Sequence, residues 1–196
     1  DNMLTKQLKK NLESESKSFY KKNKTEILDI LLFGSIVKGK NKPNDLDILI
    51  IFKEKKDLNL TYELRKIIEK ITSFKVEITS KSYSELFQKT FLARESVLSE
   101  GYSLIHGCFF SEGLGFKTKI LFHYALKGKN KSERMRFYYS LYGRNSEGIL
   151  KKLNSVKYTD TVILCPVENQ EEMKEFFNSW KIEFNETPIL IPERLV

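Results

Sequence analysis

A chain of 196 residues, 40% hydrophobic and 31% charged, is long enough for one large or two small domains and has the balance of a globular protein. No apolar run reaches the roughly 20 residues that a bilayer-spanning helix needs, and no apolar leader marks the N-terminus, so a cytoplasmic protein without a membrane partner is expected. Two cysteines, Cys108 and Cys165, argue against a disulfide framework or a cysteine-rich zinc site, and a net charge of +8 favours anionic partners.

In chain order, Leu4, Leu8 and Leu12 followed by Phe19 and Tyr20 predict an amphipathic helix over 3–22. The near-continuous apolar run 27–33 predicts a buried strand. A short helix is expected over 35–40, cut off before Pro43. The second strand is 45–52, an amphipathic helix crosses back over 58–71, and the third strand is 74–79. Ser82-Tyr83-Ser84-Glu85 offers a capping-box start for a short helix, and a further helix over 91–99 closes at Gly101. The turn-formers of 111–115 mark a boundary between residues 1–110 and residues 116–196.

The second part reads as a smaller α/β domain. A strand is expected at 119–126 and a helix from Ser132 to the stop at Gly143, whose Met135, Tyr138, Tyr139 and Tyr142 read as a core stripe. A second helix follows at 146–153, then a strand at 161–165. A helix over 171–180 carries an apolar stripe, and one or two strands fill 182–191. The pair of helices around Tyr142-Gly143-Arg144-Asn145 could form a helix-turn-helix, with Arg144, Lys151 and Lys152 toward nucleic acid.

The stretch 31–52, LLFGSIVKGKNKPNDLDILIIF, organises the whole. Asp45 and Asp47 are two apart on a strand, so both carboxylates point the same way. Like charges held that close call for a cation, and hard oxygen ligands suit Mg²⁺. Gly34 and Ser35 end the preceding strand, where a glycine lets the backbone approach a ligand and backbone N–H groups favour phosphate. Lys38 and Lys40 can neutralise a triphosphate. Gly34 to Asn41 nearly matches a Walker A loop, but Asn41 stands where a metal-binding Ser or Thr is required, so the match is accidental. His106, Cys108, His123 and Cys165 match no compact zinc spacing and read as core or strand residues.

Gly34-Ser35, nine residues, then Asp45-x-Asp47 within apolar strands resembles the signature of the polymerase-beta-type nucleotidyltransferase superfamily. The nearest likeness is to its minimal archaeal and bacterial members, over roughly residues 25 to 107. The resemblance implies an α+β fold whose N-terminal domain has a mixed sheet flanked by helices, with Leu104-Ile105-His106-Gly107 as a closing strand after Glu100-Gly101. It implies a triphosphate on the Gly-Ser turn and two Mg²⁺ on Asp45 and Asp47. The third carboxylate comes from a later strand, here Glu77, where the family more often has Asp. The activity implied is transfer of a nucleoside monophosphate from a nucleoside triphosphate to a protein, RNA or small-molecule hydroxyl. The alternatives are a nucleotide- or nucleic-acid-binding module without turnover, or an antitoxin-like partner of a helical toxin.

Overall fold

The computed structural model describes residues 2–40 and 43–195; the side chains of residues 2–6, Leu4 among them, and the loop residues Asn41 and Lys42 lie outside the description. The chain divides into two compact units, one up to Phe116 and one from Lys117 on.

The first unit opens with helix α1 (Asn2–Lys22), then strands β1 (Ile27–Phe33) and β2 (Asp45–Phe52). Helix α2 (Leu58–Glu69) leads to β3 (Lys75–Ser82). Asp57 caps α2, its Oδ1 accepting from the Asn59 N–H at 2.8 Å and the Leu60 N–H at 3.1 Å. A 3₁₀ turn at Ser84–Phe87 follows, then α3 (Arg94–Glu100), β4 (Tyr102–Ser103), β5 (Cys108–Phe109) and the single turn α4 (Phe110–Gly113). The expected capping pair is present: the Ser82 N–H donates to Glu85 Oε2 at 2.7 Å, and the Glu85 N–H donates to Ser82 Oγ at 3.4 Å. It closes a 3₁₀ turn instead of a full helix.

The strands form one mixed sheet in the order β3-β2-β1-β4-β5. Strands β1 and β2 are antiparallel, whereas β2 and β3 run parallel, as the crossover through α2 requires. Near-continuous burial of β1 and β2 reflects cover on both faces. Along β2, alternate residues Asp45, Asp47, Leu49 and Ile51 share a face. Leu49 and Ile51 join Leu31, Phe91 and Val97 in a buried cluster. The apolar half of this row is thus covered, and its two aspartates are only partly buried.

Asp29 is the one acidic residue inside β1 and is 5% exposed. Its Oδ1 accepts from the Ile30 N–H at 2.8 Å and from Ser103 Oγ at 2.7 Å, tying β1 to β4. Burial holds its carboxyl above the ordinary range, partly countered by these hydrogen bonds.

Three further local expectations for this unit differ. Residues 35–39 are successive turns, not a helix; the Val37 N–H donates to Gly34 O at 3.2 Å and the Lys40 N–H to Ser35 O at 3.1 Å. Residues 104–107 form the turn between β4 and β5, so the closing strand lies two residues earlier and His106 is exposed in a turn. The turn-formers of 111–115 are largely taken up by α4.

The second unit runs β6 (Phe116–Ala125), α5 (Lys131–Tyr142), α6 (Ile149–Lys152), β7 (Val156–Lys157), β8 (Val162–Pro166), α7 (Gln170–Ser179) and β9 (Glu183–Pro192), with a 3₁₀ turn at Val167–Asn169. Its sheet has the order β7-β8-β6-β9, with β6–β8 and β7–β8 antiparallel. The chain as a whole is α+β. An aromatic core fills this unit: Phe177 lies 5.7 Å from Phe122, 5.3 Å from Tyr124 and 5.1 Å from Phe184, ring centre to ring centre.

Asn130 starts α5 with a reciprocal cap, its Oδ1 accepting from the Glu133 N–H at 3.0 Å while its own N–H donates to Glu133 Oε2 at 2.8 Å. The second helix expected at 146–153 is reduced to the single turn α6. Gly143 sits at φ +91°, bridged to Glu147, and a Cβ there would lie 2.5 Å from Ser146 O. This tight reversal consumes the residues that would have been the helix's first turn, and Asn154, at φ +48°, ends it. A recognition helix for a helix-turn-helix is therefore missing from the described residues.

Candidate active site

The site sits where β1 ends and β2 begins. Phe33 pairs with Asp47 across the antiparallel ladder, so Gly34 falls beside the Asp47 side chain. Gly34 has φ +81°, and a Cβ built on it would lie 2.4 Å from Asp47 Oδ2. Any side chain at this position would displace the carboxylate, which is why the bend needs glycine.

The parallel register of β2 and β3 sets Glu77 opposite Asp47 and Lys75 opposite Asp45. One ligand oxygen from each of Asp45, Asp47 and Glu77 lies within 4.8 Å of the others. Among the described residues this is the one such cluster of three or more His, Cys, Asp or Glu side chains. Cys165 is instead buried in the second unit's core, its thiol pushed up to about 11 by burial.

Burial, then the Asp45 and Glu77 charges, raise the Asp47 carboxyl above its ordinary value. Negative charge here is in excess of what the protein neutralises, and a divalent cation with oxygen preference would balance it. The donor set therefore fits a hard metal ion. Glu77 has a protein cation of its own: Lys75 Nζ makes a short ion pair with Glu77 Oε1. That hydrogen bond and charge lower the Glu77 carboxyl's pKa and raise that of the Lys75 ammonium.

The other expected residues divide. Ser35 follows Gly34 in the bend and is partly buried. Lys38 is held by α3, its Nζ 2.9 Å from Glu100 Oε1, with the Glu100 side chain 10% exposed. Lys40 is exposed at the end of the turn segment. Arg144, Lys151 and Lys152 belong to the second unit. Arg144 packs its guanidinium 4.7 Å from the Tyr139 ring centre, Lys151 pairs with Glu147 at 3.3 Å, and Lys152 is exposed.

Two participants were not singled out in the sequence. Lys75 lies two residues before Glu77 on one strand, so the alternation rule alone puts it on the same face. Glu100 as the partner of Lys38 has no local signal, since 62 positions separate them (100 − 38).

A glycine bend against one of two paired strand carboxylates, on a mixed sheet with a parallel crossover, is the arrangement that the resemblance to nucleotidyltransferases implies. The family model described as "Polymerase beta, Nucleotidyltransferase" matches residues 15–101. This segment, which runs from within α1 through α3 and ends before the second unit, is a nucleotidyltransferase domain of the polymerase-beta type. No curated protein matches the chain.

Proposed function

We propose that the first unit transfers a nucleoside monophosphate from a nucleoside triphosphate to a hydroxyl acceptor on a protein, an RNA 3′ end or a small molecule. The acceptor oxygen bonds to the α-phosphorus, the bond to the bridging oxygen breaks, and pyrophosphate leaves. The observation that carries this reading is the convergence of Asp45, Asp47 and Glu77, with Asp47 directly against the Gly34 bend.

In this scheme Asp45 and Asp47 would hold two Mg²⁺, and Glu77 would either complete the second site, leaving the acceptor's proton to solvent, or take that proton itself. Ions held there would neutralise the triphosphate and lower the pKa of the acceptor hydroxyl. The Gly34–Ser35 bend receives phosphate oxygens through its backbone N–H groups, since a chain without a side chain in the way lets anions approach. Lys40 adds charge near the phosphates. Lys38 contributes by fixing the turn to α3 through Glu100.

The Asp45→Asn, Asp47→Asn double variant tests the assignment with α-labelled nucleoside triphosphate and Mg²⁺, using cell RNA and cell protein as acceptors. Wild-type protein should label an acceptor and the variant should not; equal labelling by both ends the reading. A second reading, a nucleotide-binding domain without turnover, draws on the Lys75–Glu77 pair, which already neutralises one of the three carboxylates. It predicts nucleotide binding by the wild type with no labelled acceptor.

A further inference from the structure

The core stripe expected on α5 is not the stripe the fold buries. Phe137 and Leu141 point into the second unit, while Met135, Tyr139 and Tyr142 are 44%, 37% and 38% exposed. Large side chains gathered on one solvent-facing stretch of helix mark a surface that meets a partner.

The chemistry of that partner follows from what surrounds the rings. Tyr138 and Tyr142 stack with centres 5.8 Å apart and planes at 20°. A cation flanks both exposed tyrosines of α5: Arg144 lies 4.7 Å from the Tyr139 ring, and Lys157 Nζ, which also pairs with Asp160 at 2.6 Å, lies 5.7 Å from the Tyr142 ring. Toward the start of the helix, a cleft of ≈ 340 Å³ is lined by Lys129, Lys131, Arg134, Met135 and Tyr138. From Lys127 to Arg144 the chain carries six Lys or Arg and one acidic residue, Glu133. Glu133 offsets one of the six charges, and the segment stays strongly basic.

We propose that this face of α5 binds single-stranded nucleic acid, with bases stacked on Tyr139 and Tyr142 and phosphates held by Arg134 and Arg144. Flat rings interleaved with cations fit a strand that offers unstacked bases and a phosphate at every step. A duplex keeps its bases stacked internally and leaves the rings unused. An acidic peptide meets the charge and not the rings. An anionic membrane takes a helix with a wide apolar face, whereas this face carries one aliphatic side chain, Met135, among tyrosines and cations. The surface is distinct from the helical hairpin expected from the sequence: Arg144 is shared, and Lys151 and Lys152 have no part in it. Nucleic acid as the acceptor rests on the transfer chemistry proposed above; the binding does not.

The test uses the full chain carrying Asp45→Asn and Asp47→Asn, without nucleotide, so that binding is read apart from turnover. Fluorescence anisotropy is measured on labelled single strands of about 12 nucleotides, in RNA and DNA forms, on a duplex of the same length, and on phosphatidylserine vesicles. The single strand should bind at least about tenfold more tightly than the duplex. Tyr139→Ala should weaken it by roughly five- to a hundredfold, with Tyr139→Phe retaining affinity. Arg144→Gln should reduce the slope of log affinity against log salt by about 0.7.

Preference for the RNA strand makes RNA the ligand; equal binding makes it single strands of either sugar. Circular dichroism melting of each variant separates lost binding from lost folding. Absence of binding, duplex binding equal to single-strand binding, an unchanged Tyr139→Ala variant that is folded, or vesicle binding sensitive to the same substitutions would each overturn the proposal. If the strand binds but the wild type adds no labelled nucleotide to it, the acceptor assignment fails and the binding surface stands.

Discussion

Replacing Gly34 by alanine perturbs two things that can be measured separately. The backbone there has φ +81°, and an L-residue in that region costs about 1–2 kcal/mol. The new Cβ would also sit 2.4 Å from Asp47 Oδ2, where ordinary contact starts at 3.4 Å, so the carboxylate must retreat by about 1 Å. Because it ends a flexible side chain, retreat costs little stability, and the damage falls on ligand geometry. A misplacement of about 1 Å is worth on the order of a hundredfold in rate where groups must be aligned. Gly115→Ala supplies the control, since Gly115 has the same φ of +81° and nothing within 4 Å of its added Cβ. Urea unfolding should show a similar loss of about 1–2 kcal/mol in both variants. A Mn²⁺ titration followed by electron paramagnetic resonance should show weakened binding, by about tenfold or more, in Gly34→Ala alone. Equal Mn²⁺ affinity in the two variants would refute the coupling of bend and metal site.

Lys75→Gln removes the cation that competes for Glu77; divalent affinity should rise severalfold in the same titration while the melting temperature stays put, because the pair is exposed. Lys38→Ala leaves the nearly buried Glu100 carboxylate unpaired and should cost about 1–3 kcal/mol in urea unfolding, most of it recovered in Lys38→Met, Glu100→Leu. If Lys38 instead gripped phosphate, that double variant would be stable yet bind nucleotide poorly. Asp29 has its carboxyl pKa raised by burial, so its favourable contribution is present at low pH and is lost as pH rises through the folded value. Asp29→Asn keeps an oxygen acceptor for Ser103 without the charge. It should be more stable than the parent at pH 7, the advantage shrinking as pH falls toward the ordinary carboxylate value of 3.8, as thermal melts across pH would show.

What local rules govern was legible in the residues. Alternation put Asp45 and Asp47 on one face, and the apolar runs marked β1 and β2 because strands buried on both sides need nearly every residue apolar. Glycine before Ser35 at a strand end marked the bend. Each is a property of a few adjacent positions, so no knowledge of packing was needed. The helix expected at 35–40 failed because its residues close turns among themselves, and the one at 146–153 failed because Gly143 and Glu147 bridge.

Packing partners were beyond reach of the residues alone. The Glu77 carboxylate meets Asp47 through the parallel register of β2 and β3, which a one-residue slip would turn to the opposite face. Lys38 finds Glu100 through the docking of α3. Tyrosines on α5 share helical spacing with core residues, and only the position of the sheet decides that Phe137 and Leu141 go inward. The sequence by itself determined that two acids and a glycine bend stand at neighbouring strand ends, because period and chain proximity are local. The tertiary structure decided which third acid joins them, which lysine intrudes and which aromatic face meets solvent, because those depend on elements far apart in the chain.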